Sequence, residues 1–136
     1  MKRMKKKLQK MKRMKKKLNS HFLLALLSFF IPLIVYLLTM APTTSFWDCG
    51  EFIACSVTLG VPHPPGTPLF LLLGNVFSHL PTFQDIGARV NLMSPIASAF
   101  SVMFLYLIVV LLLNRLNNNK PEQKKMIEYC AFIAAL

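Results

Sequence analysis

Hydrophobic residues fall in long blocks along this chain, not in the short periodic clusters of a soluble globule. Phe22 to Met40 is nineteen residues without a charge. A helix of that length, at about 1.5 Å per residue, approaches the roughly 30 Å of a bilayer's hydrocarbon core. Leu92 to Leu113 is twenty-two uncharged residues flanked by Arg89 and Arg115. Between them Thr67 to Leu80 is an apolar run of fourteen residues containing Gly74 and Asn75; it is short for a crossing and open to a re-entrant reading. After a polar linker, Asn114 to Lys125, another apolar stretch begins at Met126 and runs to Leu136. The pattern predicts an all-α integral membrane protein with spans at about 22–40, 67–80 and 92–113 and the start of a fourth at 126–136. A helix ending in mid-membrane would leave carbonyls unsatisfied in hydrocarbon. The chain is therefore expected to be the N-terminal piece of a longer protein.

Finer patterning qualifies each span. A cleaved signal peptide would have an apolar region of about 7–15 residues and a small-x-small exit. The first block is longer and exits through Thr39-Met40-Ala41-Pro42-Thr43, so an uncleaved anchor is expected, kinked at Pro32. In the last full block Ser94, Ala97, Ser98, Ala99 and Ser101 predict close helix packing, and the bulky half from Phe104 to Leu113 is expected to face lipid.

Charge adds an orientation. Residues 1–20 carry eleven Lys or Arg and no acid, and the rest of the chain sums to zero. The segment MKRMKKKL occurs at 1–8 and again at 11–18, with Met1, Met4, Leu8, Met11, Met14 and Leu18 at helical spacing. Such a basic amphipathic head (1–20) suits an anionic inner leaflet. It lacks aromatic interleaving and abuts a hydrophobic span, which argues against nucleic acid. The positive-inside rule puts residues 1–20 in the cytoplasm and Ala41 onward outside. Three crossings would then leave Arg115, Lys120, Lys124 and Lys125 outside, against the rule, whereas a re-entrant 67–80 segment would put them inside. Cys49, Cys55 and Cys130 form neither a disulfide framework nor a CxxC metal spacing.

Candidate chemistry is confined to the loop of residues 41–66. Ser45 with Asp48 three residues on fits a capping box and predicts a helix from Phe46, ended by Gly60 and Pro62. On it Asp48, Glu51, Cys55 and Thr58 share a stripe, Phe46, Ile53 and Val57 lie opposite, and Trp47 sits near the boundary: the pattern of an interfacial helix. Asp48 and Glu51 are the only acids in the first 84 residues, and the loop holds no Lys or Arg. Acids beside a membrane without a basic partner point to function, against the plainer reading of one cap and one solvated side chain. Val61-Pro62-His63-Pro64-Pro65-Gly66-Thr67-Pro68 is a proline-rich strap that would fix the His63 imidazole nearby. Asp48, Glu51 and His63 together form only a weak metal signature, so no metal or cofactor is assigned and a divalent ion stays open.

The segments FWDCGEFIACSVTLGVPHPPGTPLFLLLGNVF and ARVNLMSPIASAFSV resemble the bacterial protein O-mannosyltransferase-like family, once a domain of unknown function, within the GT-C superfamily of membrane glycosyltransferases. The resemblance covers residues 22 to about 115 and excludes the basic head. It implies the N-terminal part of a GT-C-type multi-helix bundle in a bacterial cytoplasmic membrane. It also implies a polyprenyl-phosphate-linked sugar as donor, with mannose expected, and an acceptor hydroxyl on a protein or glycan. Asp48 would then be the catalytic base, with Glu51 positioning the acceptor or sharing that role. His63 and Trp47 would be the substrate-binding residues, and Arg89 an anchor at the cytoplasmic face. The resemblance favours 67–80 as a crossing. A family member has many more helices, so this chain alone is expected to be inactive. Two other classes compete: a small basic membrane scaffold that binds anionic lipid through residues 1–20, and a transporter fragment.

Overall fold

The computed structural model describes residues 2–64, 66–117 and 123–136, with side chains from residue 20 onward. The lipid-facing assignment of side chains 1–19 lies outside those described, as do Pro65 and Lys120. Six helices account for the regular structure: α1 Lys2–Thr39, α2 Cys49–Thr58, α3 Pro68–Ser78, α4 Ile86–Asn91, α5 Met93–Leu116 and α6 Lys124–Ala135. No strand occurs among the described residues. Two stretches, Ser20–Thr39 and Ile86–Leu116, are long and apolar enough to cross a membrane. The eleven residues of α3 span about 16 Å at the usual helical rise, roughly half a hydrocarbon core.

The chain divides into two compact units, Met1–Pro32 with Ala99–Leu136, and Leu33–Ser98. In the first, α1 and α5 run antiparallel. His21 Nδ1 lies 2.8 Å from the Tyr106 hydroxyl, and further along α1 the Phe29 ring meets Phe100 at 4.7 Å. Small side chains permit this approach: Ala25 and Ser28 on α1, Ala99 on α5 and Ala131 on α6 are all buried. Tyr106 and Val110 join Leu24, Ala25, Ala131 and Ala135 in the core. The bulky half of α5 is thus two-faced: Phe104, Leu105, Ile108, Leu111 and Leu112 stay exposed, and every third or fourth residue between them turns inward.

The second unit positions the candidate site. Ile53 and Ser56 of α2, with Leu71, Gly74 and Ser78 of α3, are buried. Gly74 lets the helices approach closely, since a Cβ there would lie 2.5 Å from Ser56 Oγ. The Asn75 amide donates to the carbonyls of Ser56 and Val57 at 2.9 and 3.2 Å, satisfying two of the acceptors that any helix leaves open in its last turn. Leu59 closes α2 in the left-handed region at φ 53°, and Gly60 N–H donates to the Cys55 carbonyl at 3.0 Å. Pro68 starts α3, where a missing N–H costs nothing.

A second set of bonds ties the exit of α1 to α4. Asp85 caps α4 by accepting from Ala88 N–H at 2.9 Å, and its other oxygen accepts from Thr43 Oγ1 at 3.1 Å. Asn91 donates to the carbonyls of Ala41 and Thr43 at 3.0 and 2.9 Å. The Arg89 guanidinium donates to the carbonyls of Phe83, Ser78 and Gln84, bracing the loop before α4. Asn91→Ala leaves two carbonyls to find water, at a cost of about 1 kcal/mol. Amide hydrogen exchange through residues 41–46 is expected to speed up; unchanged protection there would show that Asn91 does not hold the α1 exit.

Candidate functional site

Glu51 lies in the first turn of α2 and Asp48 at the N-cap just before it, where the positive end of the helix dipole favours carboxylates. Asp48 stands at the N-cap position with φ −76° and ψ 6°, and its side chain makes no capping bond. The capping-box expectation is therefore wrong in its start and its residues. The helix begins at Cys49, because Trp47 takes φ +64° and turns the chain just before it. A left-handed backbone costs a bulky residue on the order of 1–3 kcal/mol. The Trp47 side chain is almost wholly exposed, at 96%.

His63 returns to this turn from the far end of α2. Its backbone N–H donates to Glu51 Oε1 at 2.8 Å, and its Nδ1 lies 2.8 Å from Glu51 Oε2. Its Nε2 lies 3.8 Å from Asp48 Oδ2, beyond hydrogen-bond reach. The imidazole also meets the Phe52 ring at 5.8 Å, and Phe52 meets Phe70 of α3 at the same separation. Gly66, at φ +72°, completes the strap's turn by donating to the His63 carbonyl at 3.2 Å. Asp48, Glu51 and His63 are all exposed, and one donor atom from each lies within 4.8 Å of the others. No hydrogen bond to an Asp48 carboxylate oxygen occurs among the described residues.

The ion pair sets two titrations. The hydrogen bond from the His63 side chain, then that from its backbone, hold the Glu51 carboxyl below its usual 4.5 against a small opposing desolvation. The hydrogen bond to Glu51 raises His63 above its usual 6.5, with added pull from the Glu51 charge and less from Asp48. A depressed acid stabilises the fold above its unfolded value and loses that contribution as pH falls through the folded one. A raised base does so below its unfolded value, and loses it as pH rises through the folded one. The strap is thus held most firmly between 4.5 and 6.5. An NMR titration of the metal-free chain is expected to place the His63 midpoint above 6.5, and Glu51→Gln should bring it back. A midpoint indifferent to that substitution would remove the ion pair.

The structure thus brings Asp48, Glu51 and His63 together and leaves Trp47 beside them without a packing partner. Cys55 and Thr58 do not extend the acidic stripe: Thr58 Oγ1 donates to the Ala54 carbonyl at 2.9 Å, and both Cys49 and Cys55 are free thiols. Opposite the stripe only Ile53 is buried, while Phe46 and Val57 are exposed. Ser56, Asn75, Asp85 and Asn91 carry the scaffold, and none had been singled out for it. Gly74 and Asn75, as breaks in an apolar run, were the one available signal.

Comparison with known proteins follows the same segment. The protein O-mannosyl-transferase tmem260 of Dictyostelium discoideum is 37% identical over 83 residues, which are 60% of this chain and 10% of that protein. The protein O-mannosyl-transferase TMEM260 of Mus musculus is 38% identical over 72 residues, 53% of this chain and 10% of that protein. The chain spans about a tenth of the length of these curated relatives. Both are eukaryotic proteins and lend nothing to the bacterial placement. No solved structure matches. A family model, the N-terminal domain of protein O-mannosyl-transferase TMEM260, matches residues 48–136, and the chain belongs to that family.

Proposed function

We propose that this segment supplies the outer-face carboxylate site of a membrane protein O-mannosyltransferase, acting within a longer GT-C-type bundle. Mannose passes from a polyprenyl-phosphate donor to the Ser or Thr hydroxyl of an acceptor protein. The observation that carries the reading is the division of labour between the two acids: Glu51 is hydrogen-bonded twice by His63, and Asp48 lies 3.8 Å from the same imidazole, within ion-pair range but without a hydrogen bond. The printed names of the relatives support the reaction class.

In this mechanism the acceptor oxygen attacks the anomeric carbon and its proton passes to Asp48. The bond from that carbon to the donor phosphate breaks, and the phosphate leaves with the electron pair. Glu51 positions His63, whose imidazole faces the departing phosphate. Trp47, strained and exposed, offers its ring to the sugar; strain of this kind concentrates where a side chain is presented to a ligand.

Topology fits the same picture. The Asn91 and Thr43 bonds place the exit of α1 beside the entry to α5. With α1 and α5 as crossings, residues 40–91 form one lobe on one face, and α3 re-enters or lies in the interface. The basic head and Arg115 then share the cytoplasmic side, as the positive-inside rule asks, with residues 1–20 against anionic lipid. Arg89 moves to the outer face, as a brace for the loop before α4 in place of a cytoplasmic anchor. The test is transfer of mannose from a polyprenyl-phosphate donor to a Ser/Thr peptide by a full-length protein carrying this segment. Transfer that needs neither Asp48 nor Glu51 overturns the assignment.

A further inference from the structure

We propose that the cleft between the end of α2, the proline strap and the start of α3 seats one apolar residue of the acceptor polypeptide, with Thr67 holding its backbone. The inference rests on the transfer reading above. The cleft has a volume of about 300 Å3, and its lining includes Leu59, Val61, Pro62, Thr67, Leu71 and Leu72. Leu71 is buried, whereas Leu59 and Val61 from the α2 exit and Leu72 from α3 are exposed, so apolar surface stays open on both sides. The volume is at the lower end of ligand pockets, about 300–1,000 Å3, which is room for a side chain or two. Thr67 supplies the one polar side chain of the lining, and its Oγ1 is buried without a hydrogen-bond partner. Although it is the N-cap of α3, Thr67 makes no capping bond. An orphaned hydroxyl carries a desolvation cost. In the proposed complex a turn about χ1, from one staggered well to another, brings Oγ1 to a peptide N–H or C=O that meets its need.

Position and charge select a peptide. Pro62 precedes His63 in the strap, so the cleft starts one residue, about 3.8 Å along the chain, from the side chain that engages Glu51. An extended peptide advances about 3.4 Å per residue. A hydroxyl presented at Asp48 therefore puts a side chain within about four residues of it into the cleft. No charged side chain lines the cleft, and residues 41–88 contain no Lys or Arg. Arg89 is committed to backbone carbonyls, and His63 is given to the donor phosphate. A phospholipid seated in the cleft would bring a second phosphate toward Asp48 and Glu51 with no cation to meet it. A peptide segment free of acidic residues brings no such charge. The same two carboxylates disfavour Asp or Glu beside the modified Ser or Thr.

The test is donor-free binding of short fluorescein-labelled peptides to a full-length protein carrying this segment, in phosphatidylcholine nanodiscs, read by anisotropy. Each peptide has a central Ser in a Gly/Ala background, with leucine moved through the other positions. Leucine at one position is expected to tighten binding about tenfold over alanine. Leu72→Trp, which fills the cleft from its exposed rim, should erase that preference and leave the all-alanine peptide bound as before. Leu72→Phe, a smaller filling, should reduce it part-way. Thr67→Val keeps the shape and removes the hydroxyl, so it should weaken every peptide about three- to tenfold and spare the leucine preference. An unmoved His63 midpoint in all three variants shows that the strap is intact. No leucine preference at any position, or one that Leu72→Trp leaves whole, overturns the proposal. So does a single phosphatidylcholine that native mass spectrometry finds on the parent and not on Leu72→Trp, since a lipid then fills the cleft. Mannosyl transfer is assayed separately. Peptides that bind with the leucine preference but receive no mannose end the transfer reading and leave a peptide site. Transfer without that preference ends the cleft proposal alone.

Discussion

Asp48→Asn in a full-length protein carrying this segment is expected to slow mannosyl transfer by about 10²- to 10⁴-fold, the range that a general base contributes. The substitution keeps the size of the side chain and removes its capacity to take a proton. Since the carboxylate makes no capping bond to α2, helix content should not change. Glu51→Gln acts differently. It keeps one acceptor for the His63 backbone N–H but loses the charge that holds the ring, so it acts through positioning and costs up to about 10²-fold. Its signature is a pH profile that shifts with the His63 midpoint, whereas Asp48→Asn lowers the rate at every pH. Initial rates across pH for the two variants, alone and combined, decide the matter. Equal losses with identical profiles would mean that the two acids share one role. An unaffected Asp48→Asn enzyme would take the proton elsewhere.

That division between the acids was only half legible in the sequence. Two carboxylates in a stretch without Lys or Arg pointed to the region, and the proline strap pointed to His63. Which acid His63 would engage depends on where α2 starts. Local spacing placed that start at Phe46 because Ser45 and Asp48 imitate a capping box. The positive φ of Trp47 has no sequence signal in a non-glycine residue, and it moved the start to Cys49. Helix lengths were readable because hydrocarbon thickness imposes them, so the first and third apolar blocks reappear as Ser20–Thr39 and Ile86–Leu116. The fold within the loop was not. Asn91 reaches Ala41 and Thr43 across about fifty residues, and nothing in either stretch marks the other as its partner. The inward faces of Tyr106 and Val110 were hidden for a related reason: in a uniformly apolar helix, polarity cannot distinguish lipid from a neighbouring helix. The nearly complete burial of Glu128, 1% exposed on α6, was equally invisible.

Gly74→Ala reports on the scaffold beneath the site, and two effects of opposite sign compete in it. In an isolated helix, alanine is favoured over glycine by about 1 kcal/mol. Here a Cβ would sit 2.5 Å from Ser56 Oγ and 2.9 Å from Ser56 Cβ, with Val90 Cγ1 at 3.5 Å. Ser56 is fully buried, so its Cβ can move only if α2 moves with it. Overpacking of this kind typically costs 1–3 kcal/mol, and crowding should therefore prevail. The larger, β-branched Gly74→Val has no comparable gain in helix propensity and should fall at the upper end of that range. Two second-site changes grade the cause. Ser56→Ala removes Oγ but keeps the Cβ at 2.9 Å, and should recover part of the loss. Ser56→Gly clears both atoms and should recover most of it. Hydrogen exchange of the α2 amides in nanodiscs, arranged as a double-mutant cycle, gives the coupling directly. Since α2 carries Asp48 and Glu51, the His63 midpoint should drift back toward 6.5 in Gly74→Val as the strap loses its anchor. Greater protection of α2 in Gly74→Ala would mean that helix propensity outweighs the contact, and that α2 and α3 can separate without disturbing the carboxylates.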